Sequence, residues 1–174
     1  KTGEFENATM YELDCKDLKD FSYINRCQGN FSFKEQIMSN MWRKRKGTPG
    51  FSDTNFYTTE TDNGKVIGIC ETYKSNFYND ITYISSEKSK QYKYSGQAML
   101  ASIGKVTLKN SELQNLIVTT PLSSVVSYYE DVCGFEKAPI DDMRFIMNMN
   151  RNKIPDFINK VEERTGSNIV DLSA

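Results

Sequence analysis

The sequence predicts a mixed α/β fold, in which helices flank a mostly antiparallel sheet of about six to seven strands. Two observations lead to this prediction. The first half contains runs rich in β-branched and aromatic residues around a strong hairpin turn, and the second half alternates helical spacing of apolar residues with short apolar runs. No Ser/Gly linker, repeat or low-complexity block divides the 174 residues, so we expect a single domain over residues 1–174.

The first half is predicted to contain four strands and two helical stretches. Residues 10–13 form the first strand, helical stretches follow at 18–27 and 33–45, and residues 47–53 form a loop around Pro49. Strands at 56–61 and 65–73 flank Asp62-Asn63-Gly64, which indicates a hairpin because Asn-Gly tolerates positive φ. A strand at 81–86 then completes an antiparallel meander.

The second half is predicted to begin with a strand-helix-strand crossover. Met99, Ile103 and Val106 recur at i, i+4 and i+7, which places them on one face of a helix over residues 95–109. Residues 116–120 form a short buried strand. Because this helix joins two strands, the pattern favours a crossover in the middle of the chain.

Two more helices and one strand complete the predicted order. Apolar side chains at 125, 128, 129 and 132 share a helical face, and Gly134 is a stop signal. Residues 143–149 alternate in the manner of a strand with one buried face. Apolar residues at 154, 157, 158 and 161 predict a helix over about 153–165, packed on the domain, with Pro155 near its first turn.

The composition excludes several classes of function. The 22 Lys+Arg and 23 Asp+Glu residues give a formal net charge of −1, so the chain has no general attraction for nucleic acid or anionic membranes. The absence of His excludes a Ser-His-Asp relay, a Cys-His relay and any His-ligated metal. Without a long apolar run or a signal segment, we expect a soluble cytoplasmic protein.

The four cysteines do not form a metal-binding or redox motif. Cys15, Cys27, Cys70 and Cys133 are far apart and include no C-x-x-C pair. We therefore expect buried, reduced thiols and no metal.

Residues 91–98, with the sequence QYKYSGQA, are the most informative about function because they join a predicted strand to a predicted helix. A helix N-terminus presents unpaired N–H groups and the positive end of its dipole, and Gly96 lets an anion approach the backbone. Lys88, Lys90 and Lys93 add positive charge. The segment predicts a phosphate site, but it matches neither G-x-x-x-x-G-K-[ST] nor G-x-G-x-x-G.

Three segments together carry a resemblance to a known family. Lys93-x-x-Gly96-x-Ala98 resembles the [RQ]-x-x-G-x-[GA] pyrophosphate loop of the GNAT superfamily of acyl-CoA-dependent N-acetyltransferases. Residues 59–68 (TETDNGKVIG) are similar to the hairpin between its second and third strands, and residues 129–135 (YEDVCGF) are similar to its Y-x-x-x-G-F signature. The segments occur in the family's order.

The chain departs from the family pattern at three points. Lys93 stands in place of Arg or Gln, and Ala98 stands where the family more often has Gly. Tyr129 precedes Gly134 by five residues, where the family usually has four. Because one residue turns a helix by about 100°, the sequence leaves open whether Tyr128 or Tyr129 reaches the cofactor sulfur.

The resemblance implies that acetyl-CoA is the co-substrate and lies in a splayed pair formed by the fourth and fifth strands. Its pyrophosphate would rest on the loop before the central helix, and its pantetheine arm would pair with the fourth strand. The cofactor-binding residues implied in this way are Ile84, Ser85, Ser86, Lys93, Tyr94, Ser95, Gly96, Gln97 and Ala98.

The resemblance also implies direct attack by a primary amine in a ternary complex. With no His to accept the amine proton, a carboxylate is the expected base, and Glu87 is the first candidate and Glu71 the second. Tyr129 would protonate the departing thiolate. The ordinary alternatives are that Tyr129 is a core residue and that the two carboxylates are solvated strand-end groups.

Two other functions stay open at this point. The fold could serve as a non-catalytic CoA-binding or protein-interaction module, because fold does not fix function. Trp42 and the basic residues 43–46 could contact nucleic acid, although we expect an ordinary charged helix end. The expected partners are acetyl-CoA and an amine-bearing acceptor, with no membrane or nucleic acid, for a monomer or homodimer. Four aromatic residues are candidates for the acceptor pocket: Phe31, Phe33, Trp42 and Phe51.

Overall fold

The computed structural model describes residues 7–27, 31–87, 94–119 and 121–165. The strands are β1 (Ala8–Glu12), β2 (Thr54–Thr61), β3 (Val66–Lys74), β4 (Tyr78–Ser86), β5 (Asn115–Val118), β6 (Glu136–Pro139) and β7 (Phe145–Asn150). The α-helices are α1 (Phe21–Asn25), α2 (Lys34–Arg45), α3 (Ser95–Lys109) and α4 (Ile154–Thr165). Short 3-10 turns cover Leu18–Asp20, Ser123–Val125 and Arg151–Lys153, and a π-helix covers Tyr128–Cys133.

The strands form one seven-stranded sheet in the order β1-β2-β3-β4-β5-β7-β6. The pairs β1–β2, β5–β7 and β6–β7 are antiparallel, whereas β4 and β5 are parallel. A parallel pair requires a crossover, and α3 provides it. The predicted fold class, a mixed and mostly antiparallel sheet flanked by helices, is therefore confirmed.

Two elements differ from the predicted order. The sequence does not predict β6, because this four-residue edge strand is mostly exposed and lacks an alternating apolar pattern. The strand predicted at 143–149 begins only at Phe145. Met143 is 92% exposed and lies in a turn, where Asp141 Oδ1 accepts the backbone N–H groups of Met143 and Arg144.

The first compact unit comprises residues 1–71 and 83–96. Gly64 has φ of 82° in the predicted turn between β2 and β3, which explains why glycine stands there. The core of this unit is formed by buried apolar side chains from β2, β3, α1, α2 and the loops beside these elements: Leu13, Cys15, Phe21, Ile24, Cys27, Phe31, Ile37, Met41, Phe56, Val66 and Ile69.

The second compact unit comprises residues 72–82 and 97–174. In α3, a β-carbon at Gly104 would lie only 3.0 Å from Ile154 Cγ2, so glycine allows α4 to approach closely. Arg151 covers the C-terminal end of α3, where its guanidinium donates to the carbonyl oxygens of Leu108, Asn110 and Leu113 at 2.6 to 2.8 Å. These carbonyls at and beyond the helix end have no partner within the helix.

Candidate active site

The residues predicted to bind phosphate lie at the start of α3. Tyr94 immediately precedes the helix and has φ of 68°, a left-handed conformation that is uncommon outside glycine. Gly96 is the second helical residue, and a β-carbon there would stand 3.4 Å from Ser86 Oγ at the end of β4. The structure therefore brings together two sequence-predicted cofactor residues, Gly96 and Ser86. Lys93, like Lys88 and Lys90, lies outside the described residues.

The last residues of β4 point to two different faces of the sheet. Ser85 is buried, and its Oγ accepts the backbone N–H of Ser32 at 3.0 Å. On the same face, the Tyr83 ring packs against Phe33 with a centroid separation of 5.0 Å. Alternate strand residues face opposite ways, so Ser86 lies on the other face. Ser85 would therefore contribute its backbone, rather than its side chain, to a bound cofactor.

Gln97 is held by a residue that the sequence analysis did not identify. Its side chain is buried, and Oε1 accepts a hydrogen bond from Arg164 Nη1 at 3.0 Å. The same Arg164 nitrogen donates to the carbonyl oxygen of Val132 at 3.0 Å. An arginine in the last turn of a C-terminal helix has no distinctive sequence signal, which is why spacing alone did not reveal this contact.

The predicted helix over residues 125–132 is a π-helix over its second half, and this explains the unusual tyrosine spacing. The N–H groups of Gly134 and Phe135 both donate to the Tyr129 carbonyl oxygen, the latter at 2.9 Å. A π turn closes over one residue more than an α turn. The extra residue between Tyr129 and Gly134 is therefore absorbed as a π turn, which Gly134 ends with φ of 81°.

The two neighbouring tyrosines have different surroundings. Tyr129 is only 6% exposed, and its ring meets the Phe135 ring edge to face at 5.6 Å. The side chains of Tyr128 and Cys133 interact with each other. Burial raises the pKa of Tyr128 and also raises the pKa of the Cys133 thiol to about 11.

The two predicted base candidates occupy unlike positions. Glu87 follows β4, is partly exposed and forms an ion pair with Lys65 Nζ at 3.7 Å. Glu71 in β3 is 4% exposed, and its two carboxylate oxygens accept from Asn40 Nδ2 at 2.8 and 3.1 Å. Arg43 Nη1 donates in turn to Asn40 Oδ1 at 3.0 Å. Glu71 is thus a buried, hydrogen-bonded carboxylate rather than a solvated one.

A third carboxylate, Asp80, escaped the sequence analysis because the predicted strand began one residue after it. The parallel ladder joins residues 78–81 of β4 to residues 115–118 of β5, and β4 continues beyond it to Ser86. Asp80 is buried next to the last ladder pair, and its Oδ1 accepts the N–H of Thr119 at 3.2 Å. Burial raises the pKa of this carboxyl above its usual range, although hydrogen bonds from neighbouring threonines oppose the rise.

The basic end of α2 is occupied by contacts within the protein. Lys44 Nζ donates to the Thr54 carbonyl oxygen, and Arg45 Nη1 donates to the carbonyl oxygens of Cys15 and Lys16. The Arg43 guanidinium lies 5.7 Å from the centroid of the Phe51 ring. These contacts give the cluster a structural role at the helix end, which is the ordinary alternative to nucleic-acid binding.

Three of the aromatic residues suggested for an acceptor pocket pack in or against the core of the first unit. Phe31 is 8% exposed within that core, and Phe33 packs against it. Trp42 is 40% exposed and packs on Phe21 with a centroid separation of 4.3 Å.

The four cysteines are all buried and unbridged. In residues 7–27, 31–87, 94–119 and 121–165, no group of three or more acidic or cysteine side chains could hold a metal ion, and no helix is long and apolar enough to cross a membrane.

Comparison with solved structures identifies the fold. AtaTR bound with AcCoA is 14% identical, with a TM-score of 0.66 over 86% of this chain and 96% of that one. The PaiA N-acetyltransferase from Thermoplasma acidophilum, in complex with coenzyme A, is 16% identical, with a TM-score of 0.56 over 83% and 99%.

The Vibrio cholerae spermidine/spermine N-acetyltransferase SpeG is 13% identical, with a TM-score of 0.58 over 86% of this chain and 96% of that one. A scan against protein-family models and a search of curated proteins gave no match. The chain thus has the fold of GNAT N-acetyltransferases.

Proposed function

We propose that this protein is an N-acetyltransferase that moves the acetyl group of acetyl-CoA to a primary amine, by direct attack in a ternary complex. The observation that carries the proposal is Gly96 in the first turn of α3, placed against Ser86 at the end of β4. This arrangement occurs in a fold whose solved examples include AtaTR with AcCoA and PaiA with coenzyme A.

The residues at the start of α3 suit a pyrophosphate group. The first four N–H groups of a helix have no partner within it, and they carry the positive end of the dipole. At Gly96 a side chain would fill the space in front of these groups. We propose that the backbone of Gly96, Gln97 and Ala98 holds the pyrophosphate, together with Ser95 at the first position of α3, Tyr94 immediately before it and Lys93, which precedes Tyr94 in the sequence.

The end of β4 suits the pantetheine arm. The parallel ladder with β5 stops at Ile81, and β4 continues through Ile84, Ser85 and Ser86. A strand that extends beyond the end of its neighbour has unpaired backbone donors and acceptors, which can pair with an extended ligand. The backbone N–H groups of this segment would also stabilise the oxyanion formed when the amine attacks the thioester carbonyl.

The amine must lose a proton in order to attack, and three carboxylates could accept it. Glu87 stays the first sequence-based candidate and has Lys65 beside one carboxylate oxygen. Glu71 accepts two hydrogen bonds from Asn40. Asp80 joins them as a candidate because burial raises its pKa, and a raised proton affinity suits a carboxylate base.

Tyr129 is the proposed general acid. It would protonate the thiolate of CoA as the acetyl group moves from sulfur to the amine nitrogen. Its support is the resemblance of residues 129–135 to the Y-x-x-x-G-F signature, in which Tyr129 is the tyrosine. A phenol hydroxyl is a proton donor, so it can transfer its proton to the departing thiolate.

The activity test is acetyl-CoA-dependent thiol release in the presence of a panel of primary amines, with Gly96→Ala as the blocked control. Release that depends on one amine and disappears in the control supports the proposal. If no amine stimulates release although acetyl-CoA binds, the second candidate takes its place: a non-catalytic CoA-binding or protein-interaction module. The burial of Tyr129 against Phe135 is the observation that favours that second candidate.

A further inference from the structure

Arg164 connects two segments that the proposed function assigns to cofactor binding and proton transfer. It lies in the last turn of α4, and its Nη1 donates both to Gln97 Oε1 and to the Val132 carbonyl oxygen, each at 3.0 Å. Gln97 belongs to the first turn of α3, and Val132 belongs to the π-helix that carries Tyr129. All four residues belong to the second compact unit.

The chemistry of the contact suits a fixed geometry. Guanidinium is planar, so two acceptors on one nitrogen fix its orientation more firmly than a flexible ammonium would. Both bonds are charge-assisted, which makes them stronger than neutral hydrogen bonds. The Gln97 side chain is buried, and a buried amide oxygen without a donor would be costly.

The charge of Arg164 also acts on the π-helix. Its positive charge lowers the proton affinity of both Tyr128 and Cys133, in opposition to their burial. The same side chain therefore contributes a hydrogen bond at the start of α3 and positive potential beside Tyr128 and Cys133.

We infer that Arg164 is a positioning residue for the proposed acetyl-CoA site, in that it holds the first turn of α3 in a fixed relation to the π-helix that bears Tyr129. The inference rests on the proposed function. Arg164 acts through Gln97 and Val132 rather than through the reacting atoms.

The first experiment compares Arg164→Met, Arg164→Lys and Lys160→Met. Lys160 is the matched control, because it lies on the same helix in an exposed ion pair with Asp156. We expect Arg164→Met to raise the dissociation constant and the KM for acetyl-CoA roughly tenfold, the size of one charge-assisted hydrogen bond. Arg164→Lys should recover part of this loss, and Lys160→Met should match the wild type.

A merely structural role predicts a different pattern. It would lower the melting temperature and the active fraction, but the KM of the folded enzyme would stay at the wild-type value. Amide hydrogen exchange without ligand adds a readout that does not depend on activity. We expect faster exchange at residues 97–100 and 128–134 in Arg164→Met, and unchanged exchange there in Lys160→Met.

The double variant Gln97→Met with Arg164→Met tests whether the effect passes through Gln97. The losses in acetyl-CoA affinity should be clearly less than additive, because both single changes break the same contact. Wild-type acetyl-CoA binding with an unchanged affinity in Arg164→Met would overturn the inference alone. Absence of acetyl-CoA binding by the wild type would overturn the proposed function and the inference with it.

Discussion

Ser86 Oγ lies 3.4 Å from the point where a β-carbon would stand at Gly96. That separation is an ordinary van der Waals contact, so the protein itself has room for alanine at this position. The glycine is therefore explained better by a ligand that needs the space than by packing within the fold.

Gly96→Ala should consequently separate binding from stability. Alanine is the better helix former, by at most about 1 kcal/mol, so the free energy of unfolding should stay level or rise slightly. The added methyl group should weaken acetyl-CoA binding at least tenfold, about 1.4 kcal/mol. Denaturant unfolding and calorimetric titration measure the two effects on the same sample.

Gly104→Ala is the matched control within the same helix. Its β-carbon would lie 3.0 Å from Ile154 Cγ2, and overpacking of a core typically costs about 1 to 3 kcal/mol. We expect a lower melting temperature and unchanged acetyl-CoA affinity. If the two glycine variants behaved alike in both assays, the assignment of Gly96 to the cofactor would be wrong.

Loss of the Arg151 side chain should destabilise the fold. Arg151→Met removes the donors to the carbonyl oxygens of Leu108, Asn110 and Leu113. The Asn110 carbonyl oxygen keeps the backbone N–H of Leu113 at 3.2 Å, so the cost comes mainly from the carbonyls of Leu108 and Leu113. We expect a loss of about 2 to 4 kcal/mol in urea unfolding. Arg151→Lys should recover a fraction of it, and a neutral result for Arg151→Met would contradict the assigned capping role.

Asp80 should make stability depend on pH in the direction opposite to most carboxylates. Burial raises its pKa above the ordinary 3.8, so between these two pKa values the folded state binds more protons than the unfolded chain. The contribution of Asp80 to the free energy of unfolding therefore falls as pH rises between the two pKa values. Asp80→Asn keeps the Oδ1 acceptor for Thr119 and should be more stable than the wild type at pH 7.

The advantage of Asp80→Asn should disappear as pH falls to 3.8 and below, where the wild-type carboxyl is protonated in both states. An advantage that stays constant over this range would contradict the burial of a charged Asp80. If Asp80 is the base, the same variant should also lower kcat about a hundredfold or more. Glu87→Gln and Glu71→Gln, assayed beside it, identify which carboxylate accepts the proton.

The two tyrosines should respond differently to removal of the hydroxyl. Tyr129→Phe should lower kcat and leave acetyl-CoA affinity unchanged, because the hydroxyl acts only when the thiolate departs. Tyr128→Phe removes the hydroxyl that interacts with Cys133, which should lower stability by about 1 kcal/mol and leave kcat near the wild type. Steady-state kinetics and thermal unfolding of both variants provide the measurement, and the reverse pattern would assign the acid to Tyr128.

Much of the fold could be predicted from the sequence, because strong local signals agree with the tertiary structure. The helix predicted over 95–109 matches α3, and Asp62-Asn63-Gly64 forms the predicted turn. β6 could not be predicted in this way, because pairing with β7 alone defines a short, exposed edge strand. The π-helix depends on one inserted residue, which periodicity registers only as a change in spacing.

Parts of the candidate site that depend on the local backbone could be predicted from the sequence. Parts that depend on contacts between residues distant in sequence could not. Gly96 and the helix start that contains it carry a local sequence signal. Asp80 and Arg164 carry no such signal. The role of Asp80 depends on the β4–β5 ladder that ends beside it. The role of Arg164 depends on its hydrogen bond to the Gln97 side chain, which is distant in sequence. Burial in the folded state, rather than residue type, distinguishes Asp80 and Glu71 from the other carboxylates.

Calorimetric titration of the wild-type protein with acetyl-CoA, with ATP as the comparison, tests the central claim most directly. Both ligands carry phosphates, so a nonspecific anion site would bind them alike. We expect micromolar binding of acetyl-CoA at one site per chain and no measurable binding of ATP. Equal binding of both ligands, or binding of neither, would contradict the assignment of an acetyl-CoA site to this fold.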